Sequence, residues 1–364
     1  MKISIIIPTF NNFEYFNKCI SSIFTENNYF EKEVIIVDNA SKDSTLNFLN
    51  NFNFKIQIIH NNSNLGFAKA CNQGAKFASS DILIFLNNDT EITTNWISSL
   101  ILCLSYEDNI GVVGCKLIYP DKSIQHAGVA FNSVNVHHIY RNFNPSHPAV
   151  NRIREFQAVT GACMLVPRKL FLSLGGFDES FINGFEDLDF CFRVRKNGFK
   201  VMYTPESVVI HHESKTPGRH DHHAHNARLF SNRWLPSVVH DLDTIYAQDG
   251  LRRHQEYENK FGGKWLIDSN ANHFWDKART LAKRGSYQEA ENYFGKALSF
   301  NPYDVRRLTI AEELSDLYTR WERFSDAISC LESIIQVHPS QRVLEKIARI
   351  ATLAQSHSQG HSLI

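Results

Sequence analysis

Short apolar runs alternate with stretches of helical periodicity over residues 3–86, and that alternation leaves few folds open. Residues 3–8 are a β-branched run ending at Pro8; Glu33 to Asp38, Lys55 to His60 and Ile82 to Leu86 read as further strands. Between them Phe13, Phe16, Ile20 and Ile23 keep helical spacing, and residues 66–78 read as a second helix. Strands joined by helices require right-handed crossovers, which predicts an α/β domain on a parallel, doubly wound sheet. Val112 to Tyr119 and Ala162 to Pro167 continue as strands. Phe177 to Gly198 reads as a loop running into a helix, and Val201 to His212 as an extended segment.

The fourth run, Ile82 to Leu86, stops abruptly at Asn87, Asn88 and Asp89. A continuous apolar run suits a strand buried on both faces, and open α/β sheets bind ligands just beyond the carboxyl ends of such strands. Asp89 therefore stands where a hard cation carrying a diphosphate needs an oxygen ligand. A second reading makes Asn88, Asp89 and Thr90 a turn that caps a helix beginning near Thr93. The local pattern leaves both open.

Four other clusters carry polar chemistry. Pro8, Thr9, Phe10, Asn11 and Asn12 end the first strand. Asp38, followed by Asn39, ends the second and is placed to accept hydrogen bonds from a base or ribose. Asn64, Gly66, Phe67 and Lys69 open a helix: the glycine admits close backbone approach, the helix start favours anions, and Lys69 reaches toward a phosphate. This glycine spacing does not fit Gly-x-Gly-x-x-Gly, which counts against a dinucleotide oxidoreductase. Downstream, Glu186, Asp187 and Asp189 crowd one segment. They supply a general base, or they form the acidic first turn of a helix continuing through Phe190, Phe192 and Val194. His211 and His212 add imidazoles, either as metal ligands or as structural side chains.

Composition narrows the partners. Lysine plus arginine equals aspartate plus glutamate at 38 each, which excludes nucleic acid as the main partner, because phosphate neutralisation needs clustered basic charge. The seven cysteines are scattered without a Cys-x-x-Cys pair and read as buried thiols of a reducing compartment. The amino terminus lacks the apolar core of a signal peptide, and no run reaches the length of a transmembrane segment. The expectation is a cytoplasmic protein, free or peripheral at the inner face of the membrane.

A change of character follows residue 270. Gly285 to Ala290 recurs as Glu322 to Ala327, and Asn301-Pro302 recurs as His338-Pro339, each at an offset of 37 residues. Each unit reads as two amphipathic helices with small residues at the close approach, and a last helix carries Val343, Leu344, Ile347 and Leu353. The pattern resembles tetratricopeptide repeats, whose period is about 34 residues, with an insertion near 303–309. An unrelated pair of helical hairpins is the alternative. The expected division is a catalytic domain over 1–245, a helical linker over 246–270 and helical repeats over 271–364.

Taken in order, the clusters of the first 245 residues resemble the inverting family-2 glycosyltransferases of the GT-A fold, which implies a Rossmann-like, mostly parallel sheet. The matching pieces run from Pro8, Thr9, Phe10 and Asn11 through Asp38, Asn39, Ser41 and Asp43 to Asn64, Gly66, Phe67 and Ala68. They continue with Asn87 to Thr90, Gly161 and Ala162, Gly175 to Glu179, Glu186 to Asp189, and His211 with His212. The resemblance implies a nucleotide-diphosphate sugar in the cleft, with Thr9 and Asp38 near base and ribose and Asn12, Asn39, Asn64, Lys69, Asn87 and Asn88 around it. It makes Asp89 the last position of the family's Asp-x-Asp metal element, here with Asn87 in first place. The metal is Mn2+ or Mg2+, completed by His211 or His212, with His211 slightly preferred. Asp187 becomes the catalytic base with Glu186 beside it. The expected activity moves a sugar, from a UDP-sugar first and dTDP-rhamnose next, to a hydroxyl of a surface glycan, a lipid-linked glycan or a protein. The repeats would hold a protein acceptor or partner.

Two other readings stand beside this one. A scaffold would keep a degenerate sugar-nucleotide domain and work through its repeats. A nucleotidyltransferase would need a glycine- and lysine-rich triphosphate loop that the chain lacks. His220, His222, His223 and His225, with Gly218 and no nearby cysteine, read as a loop over the site rather than a zinc centre. Trp234, Trp265 and Trp275 read as core packing before acceptor groove.

Overall fold

A computed structural model describes residues 2–25, 30–51, 56–132, 135–213, 221–253, 266–335 and 340–360. Lys55, Gly218, His220, Trp265, His338 and Pro339 lie outside the described residues. Two compact units result: Met1–Arg141 with Ala149–Leu242, and Asn142–Pro148 with Asp243–Ile364.

In the first unit, β1 (Lys2–Thr9), α1 (Phe13–Thr25), β2 (Glu31–Asp38), α2 (Thr45–Asn50), β3 (Ile56–His60), α3 (Phe67–Phe77) and β4 (Ile82–Leu86) realise the expected alternation. After β4 come β5 (Thr90–Ile92), α4 (Trp96–Leu104), β6 (Ile110–Ile118), β7 (Ile124–His126), β8 (Val129–Asn132) and β9 (Asn135–His138). Next are β10 (Arg154–Glu155), β11 (Cys163–Pro167), α5 (Arg168–Ser173), α6 (Glu186–Lys196), β12 (Lys200–His211) and α7 (His223–Trp234). The main sheet runs β10-β12-β6-β11-β4-β1-β2-β3, with β5 on β12 and β7 on β6. β1, β2, β3 and β4 pair in parallel, as do β6 and β12. β11 is antiparallel to both β4 and β6, so the sheet is mostly parallel but mixed. Local pattern could not reveal this, because an apolar strand buried on both faces looks alike in either direction.

The register sets the site. Thr9 pairs with Asp38, and β4 ends beside them with Phe85 opposite Ile6, so the carboxyl ends of three parallel strands open on one edge. Their apolar middles form the core: Ile5, Ile7, Val34, Ile36, Ile84 and Leu86 are buried, packed from one side by Phe16, Ile20 and Ile23 of α1. Gly114 of β6 allows a close approach, since a Cβ there would lie 2.6 Å from the Cβ of Val159.

The second unit holds helices Asn272–Lys283, Tyr287–Phe300, Arg307–Arg320, Phe324–Ile335 and Gln341–Gly360. Ala290 and Ala327, equivalent in the two sequence repeats, are both fully buried where helices meet. Gly285 and Glu322, also equivalent, both adopt left-handed backbone after a helix, with φ of 78° and 58°. The last helix packs through Val343 and Ile347 of the expected stripe, joined by Ile350, while Leu344 and Leu353 are 50% and 52% exposed. A buried contact of 2.8 Å between His147 Nε2 and Asp268 Oδ2 ties Asn142–Pro148 into this unit. No helix among the described residues is long and apolar enough to cross a membrane. All seven cysteines are free thiols.

Candidate active site

The strand ends of the first unit enclose a cleft of about 440 Å³. Pro8, Thr9 and Phe10 line it after β1, Asn39 after β2, Asn64 and Phe67 at the start of α3, and Asn87, Asn88 and Asp89 after β4. Gly161 and Ala162 before β11, Glu186 and Asp187 at the start of α6, and His211 at the end of β12 complete it. Residues far apart in sequence thus converge because the parallel strands end together.

The turn after β4 bears on the capping reading of Asp89. Asn88 Nδ2 donates to Thr9 Oγ1 at 3.0 Å, Asn87 N donates to Ala162 O at 2.9 Å, and Thr90 Oγ1 donates to Asn87 O at 2.7 Å. The chain then continues as β5, not as a helix; the helix starts at Trp96, preceded by Asn95 in left-handed backbone. Asn88, Asp89 and Thr90 turn the chain but cap nothing.

Asp89 is 6% exposed, and its Oδ1 lies 3.1 Å from Nε2 of His211, itself 3% exposed. Asn87 Nδ2 stands 3.3 Å from the same nitrogen, while Asn87 Oδ1 is buried with no hydrogen-bond partner among the described residues. His212 faces elsewhere: its Nε2 lies 2.6 Å from Glu91 Oε1 and its ring packs 4.8 Å from Tyr15. Side chains alternate along a strand, so two adjacent histidines at the end of β12 cannot share a face.

The three crowded carboxylates separate into different environments. Asp187 Oδ2 accepts from Gly161 N at 2.7 Å and Oδ1 from Leu188 N at 2.8 Å. Each oxygen keeps a second lone pair, and the side chain lines the cleft. Glu186 lies beside it, with Oε2 accepting from Gly184 N at 2.6 Å. Asp189 is fully buried and does not line the cleft: Arg193 Nε, Arg233 Nη1 and Trp234 Nε1 donate to it at 2.8, 2.6 and 2.8 Å. Removing one member of such a buried charged network typically costs about 3–5 kcal/mol. Asp189→Ala is therefore expected to lower unfolding stability by about that amount, measured by urea denaturation. Trp234 belongs to this network. Trp275 stacks under Arg279 at 3.9 Å and donates to Glu313. Both are structural.

Other expected residues stand back from the cleft. Asp38 is buried behind Asn39, with Ser41 N donating to its Oδ1 at 3.1 Å and the His60 ring 3.3 Å from its Oδ2. Gly66, at φ 84°, precedes α3, but Asn183 Oδ1 already accepts from Phe67 N at 3.1 Å. Lys69 is exposed and Asn12 lies in a separate shallow depression with Lys42 and Asp43. Among the described histidines of the His-rich segment beyond His212, only His223 lines the cleft.

Several lining residues escaped the sequence reading: Gln125, His126, His138, Arg141, Asn183, Glu213 and Asn226. Only the polar pair Gln125-His126 inside an apolar stretch signalled any of them. Arg141 Nη2 donates to Glu213 Oε2 at 2.6 Å, and Tyr119 Oη donates to the same atom at 2.9 Å. Burial and the Glu213 carboxylate push the Tyr119 phenol up to about 12. Burial, with the His138 and His211 rings nearby, holds His126 well below the usual imidazole range. Asn226 of α7 locks the loop before α6, donating to Ile182 O at 2.8 Å and accepting from Ile182 N at 3.2 Å.

Residues 4–171 match the model of glycosyl transferase family 2. The chain is 30% identical over 224 residues to the O-antigen biosynthesis protein RfbC of Myxococcus xanthus, covering 58% of this chain and 17% of that protein. It is 26% identical over 209 residues to an N-acetylglucosaminyl-diphospho-decaprenol L-rhamnosyltransferase of Mycobacterium tuberculosis, covering 51% of this chain and 68% of that enzyme. The chain thus spans less than a fifth of RfbC. The structure of GalNAc-T7 with UDP, GalNAc and Mn2+ superposes with a TM-score of 0.50 at 16% identity, covering 72% of this chain and 56% of that one. That likeness speaks to the fold alone. Residues 4–171 are a glycosyl transferase family 2 domain, set in a mostly parallel mixed sheet of the GT-A kind and followed by a region of helices.

Proposed function

We propose that the protein is a metal-dependent inverting glycosyltransferase, moving a hexose-type sugar from a nucleotide-diphosphate sugar to an acceptor hydroxyl. The observation that carries this is the convergence of Asp187 with Asp89 and His211 on one cleft at the ends of the parallel strands. Pro8, Thr9, Phe10, Asn39, Asn64 and Phe67 line the side toward β1 and β2 and take the nucleotide, with Asp38 ordering the loop behind them.

The residues after β4 fit a divalent ion. A carboxylate and an imidazole, the oxygen and nitrogen donor types such an ion takes, face each other at 3.1 Å. Asp89 and His211 would hold Mn2+ or Mg2+. When bound, the ion offsets charge developing on the departing diphosphate. Asp187 takes the proton of the acceptor hydroxyl as that oxygen bonds to the anomeric carbon. The bond from that carbon to the diphosphate oxygen breaks on the opposite face, so configuration inverts and no enzyme nucleophile is used.

UDP-sugars are the first choice of donor and dTDP-rhamnose the second; the relatives' names favour a surface or lipid-linked glycan over a protein as acceptor. The helices beyond residue 270 act as a tetratricopeptide-like platform for an acceptor or partner; the expected helical linker over 246–270 is instead part of the second unit, its described residues including an antiparallel strand pair, Leu251–Arg253 with Leu266–Asp268. Catalysis takes place in the cytoplasm or at the inner face of the membrane. A non-enzymatic scaffold is disfavoured because Asp89, Glu186 and Asp187 all line the cleft.

Donor cleavage across a panel of sugar nucleotides, with and without Mn2+, tests the proposal. Metal-dependent release of nucleoside diphosphate from one donor class is the expected result. No release from any common donor would favour the scaffold.

A further inference from the structure

β7 pairs antiparallel with the end of β6, and the register passes from Leu117 opposite His126 to Ile118 opposite Ile124. Gln125 is therefore the extra residue of a β-bulge. Bulges turn a side chain out of its regular alternation and cluster beside active sites. Here the side chain is turned onto His211. Gln125 Nε2 donates to His211 O at 3.1 Å, and Gln125 Oε1 lies 2.6 Å from His211 Nδ1. Both residues are buried, Gln125 at 5% exposure.

The two contacts fix each other's chemistry. A backbone carbonyl only accepts, so the amide nitrogen of Gln125 must face it, which leaves Oε1 toward the ring. An amide oxygen also only accepts, so Nδ1 of His211 must carry a proton. In the neutral ring Nε2 is then left with its lone pair, 3.1 Å from Asp89 Oδ1 and within reach of the Asn87 Nδ2 donor at 3.3 Å. We infer that Gln125 is a positioning residue that sets the tautomer and orientation of His211, presenting Nε2 as a ligand to the divalent cation. This rests on the metal reading given under Proposed function. A metal-bound imidazole depends on such a partner, whose loss typically lowers metal affinity about 10–100-fold.

The test pairs two variants in the full chain. Gln125→Leu keeps bulk and removes both contacts; Gln125→Glu keeps an acceptor toward Nδ1 and loses only the donor to His211 O. Mn2+ affinity is measured by electron paramagnetic resonance of free Mn2+, and the protonation of His211 Nδ1 by nitrogen-15 NMR at pH 8, with and without Mg2+. Gln125→Leu is expected to weaken Mn2+ binding about 10–100-fold, with Gln125→Glu staying close to the wild type and His211→Ala setting the lower limit. Equal losses in both variants would mark a merely structural role, and unchanged affinity in Gln125→Leu would overturn the inference. So would a wild-type His211 without a proton on Nδ1, a result that needs neither variant to fold. If the wild type binds no Mn2+, the metal reading fails, and the Nδ1 signal still decides whether Gln125 sets the ring.

Discussion

Asp187→Asn is expected to reduce sugar transfer roughly a thousandfold while donor binding and the fold persist. General-base assistance is worth about 10²–10⁴ in rate, and a thousandfold corresponds to about 4 kcal/mol of barrier. The structural cost is smaller. Asp187 accepts from two backbone N–H groups, and an amide keeps one of those contacts while turning an N–H toward the other. An imperfect pairing of that kind costs about 1–3 kcal/mol of stability in a side chain that remains open to the cleft. Single-turnover kinetics separate the effects: kcat falls, while the Kd for the nucleotide, measured by calorimetry, stays within a few-fold of wild type. Near-wild-type turnover would transfer the role to Glu186, whose carboxylate is next along the same helix start.

Asp89→Ala is expected to have the other large effect, through metal rather than proton transfer. Asp89 is the carboxylate that faces His211, and removing it leaves the imidazole without an anionic oxygen beside it. A hard divalent ion needs anionic oxygen, so Mn2+ affinity is expected to fall more than about a hundredfold. Lost stabilisation of the leaving diphosphate amounts to several kcal/mol, or about 10²–10³ in turnover. Titrating Mn2+ at fixed donor checks this: the variant requires far more metal for half-maximal rate. His212→Ala serves as the contrast, since its ring pairs with Glu91 outside the cleft, and its metal requirement is expected to match the wild type. Equal metal dependence in the Asp89 variant and the wild type would refute the assignment.

Much of this site was legible because it is built from strand ends. A run such as Ile82 to Leu86 announces burial on both faces, and the polar residues that terminate it must lie at the sheet edge. Thr9, Asn88 and Asp89 were found that way and line the cleft, whereas Asp38, read the same way, is buried behind Asn39. The acidic cluster was legible only as a cluster. Asp187 and Asp189 lie two residues apart on one helix, yet one faces the cleft and the other is locked among Arg193, Arg233 and Trp234. Helix periodicity shows that they point differently, but only the packing of α7 against α6 shows which direction is solvent. Asn183 is a similar case: the helix start at Phe67 looked free for an anion, and a loop 116 residues away supplies an amide oxygen to it.

By itself, the sequence determined the strand–helix alternation, the polar termini of the strands and the helical character after residue 270. These follow from local periodicity and from the chemistry of residues that can end a strand. Tertiary structure alone decided the antiparallel insertion of β11, the choice of His211 over His212 for the cleft, and the bulge that brings Gln125 onto His211. Each of these depends on register between segments distant in the chain. A shift of one residue in a strand exchanges its two faces, so the residues that meet Asp89 are set by pairing across the sheet and not by any neighbour in sequence.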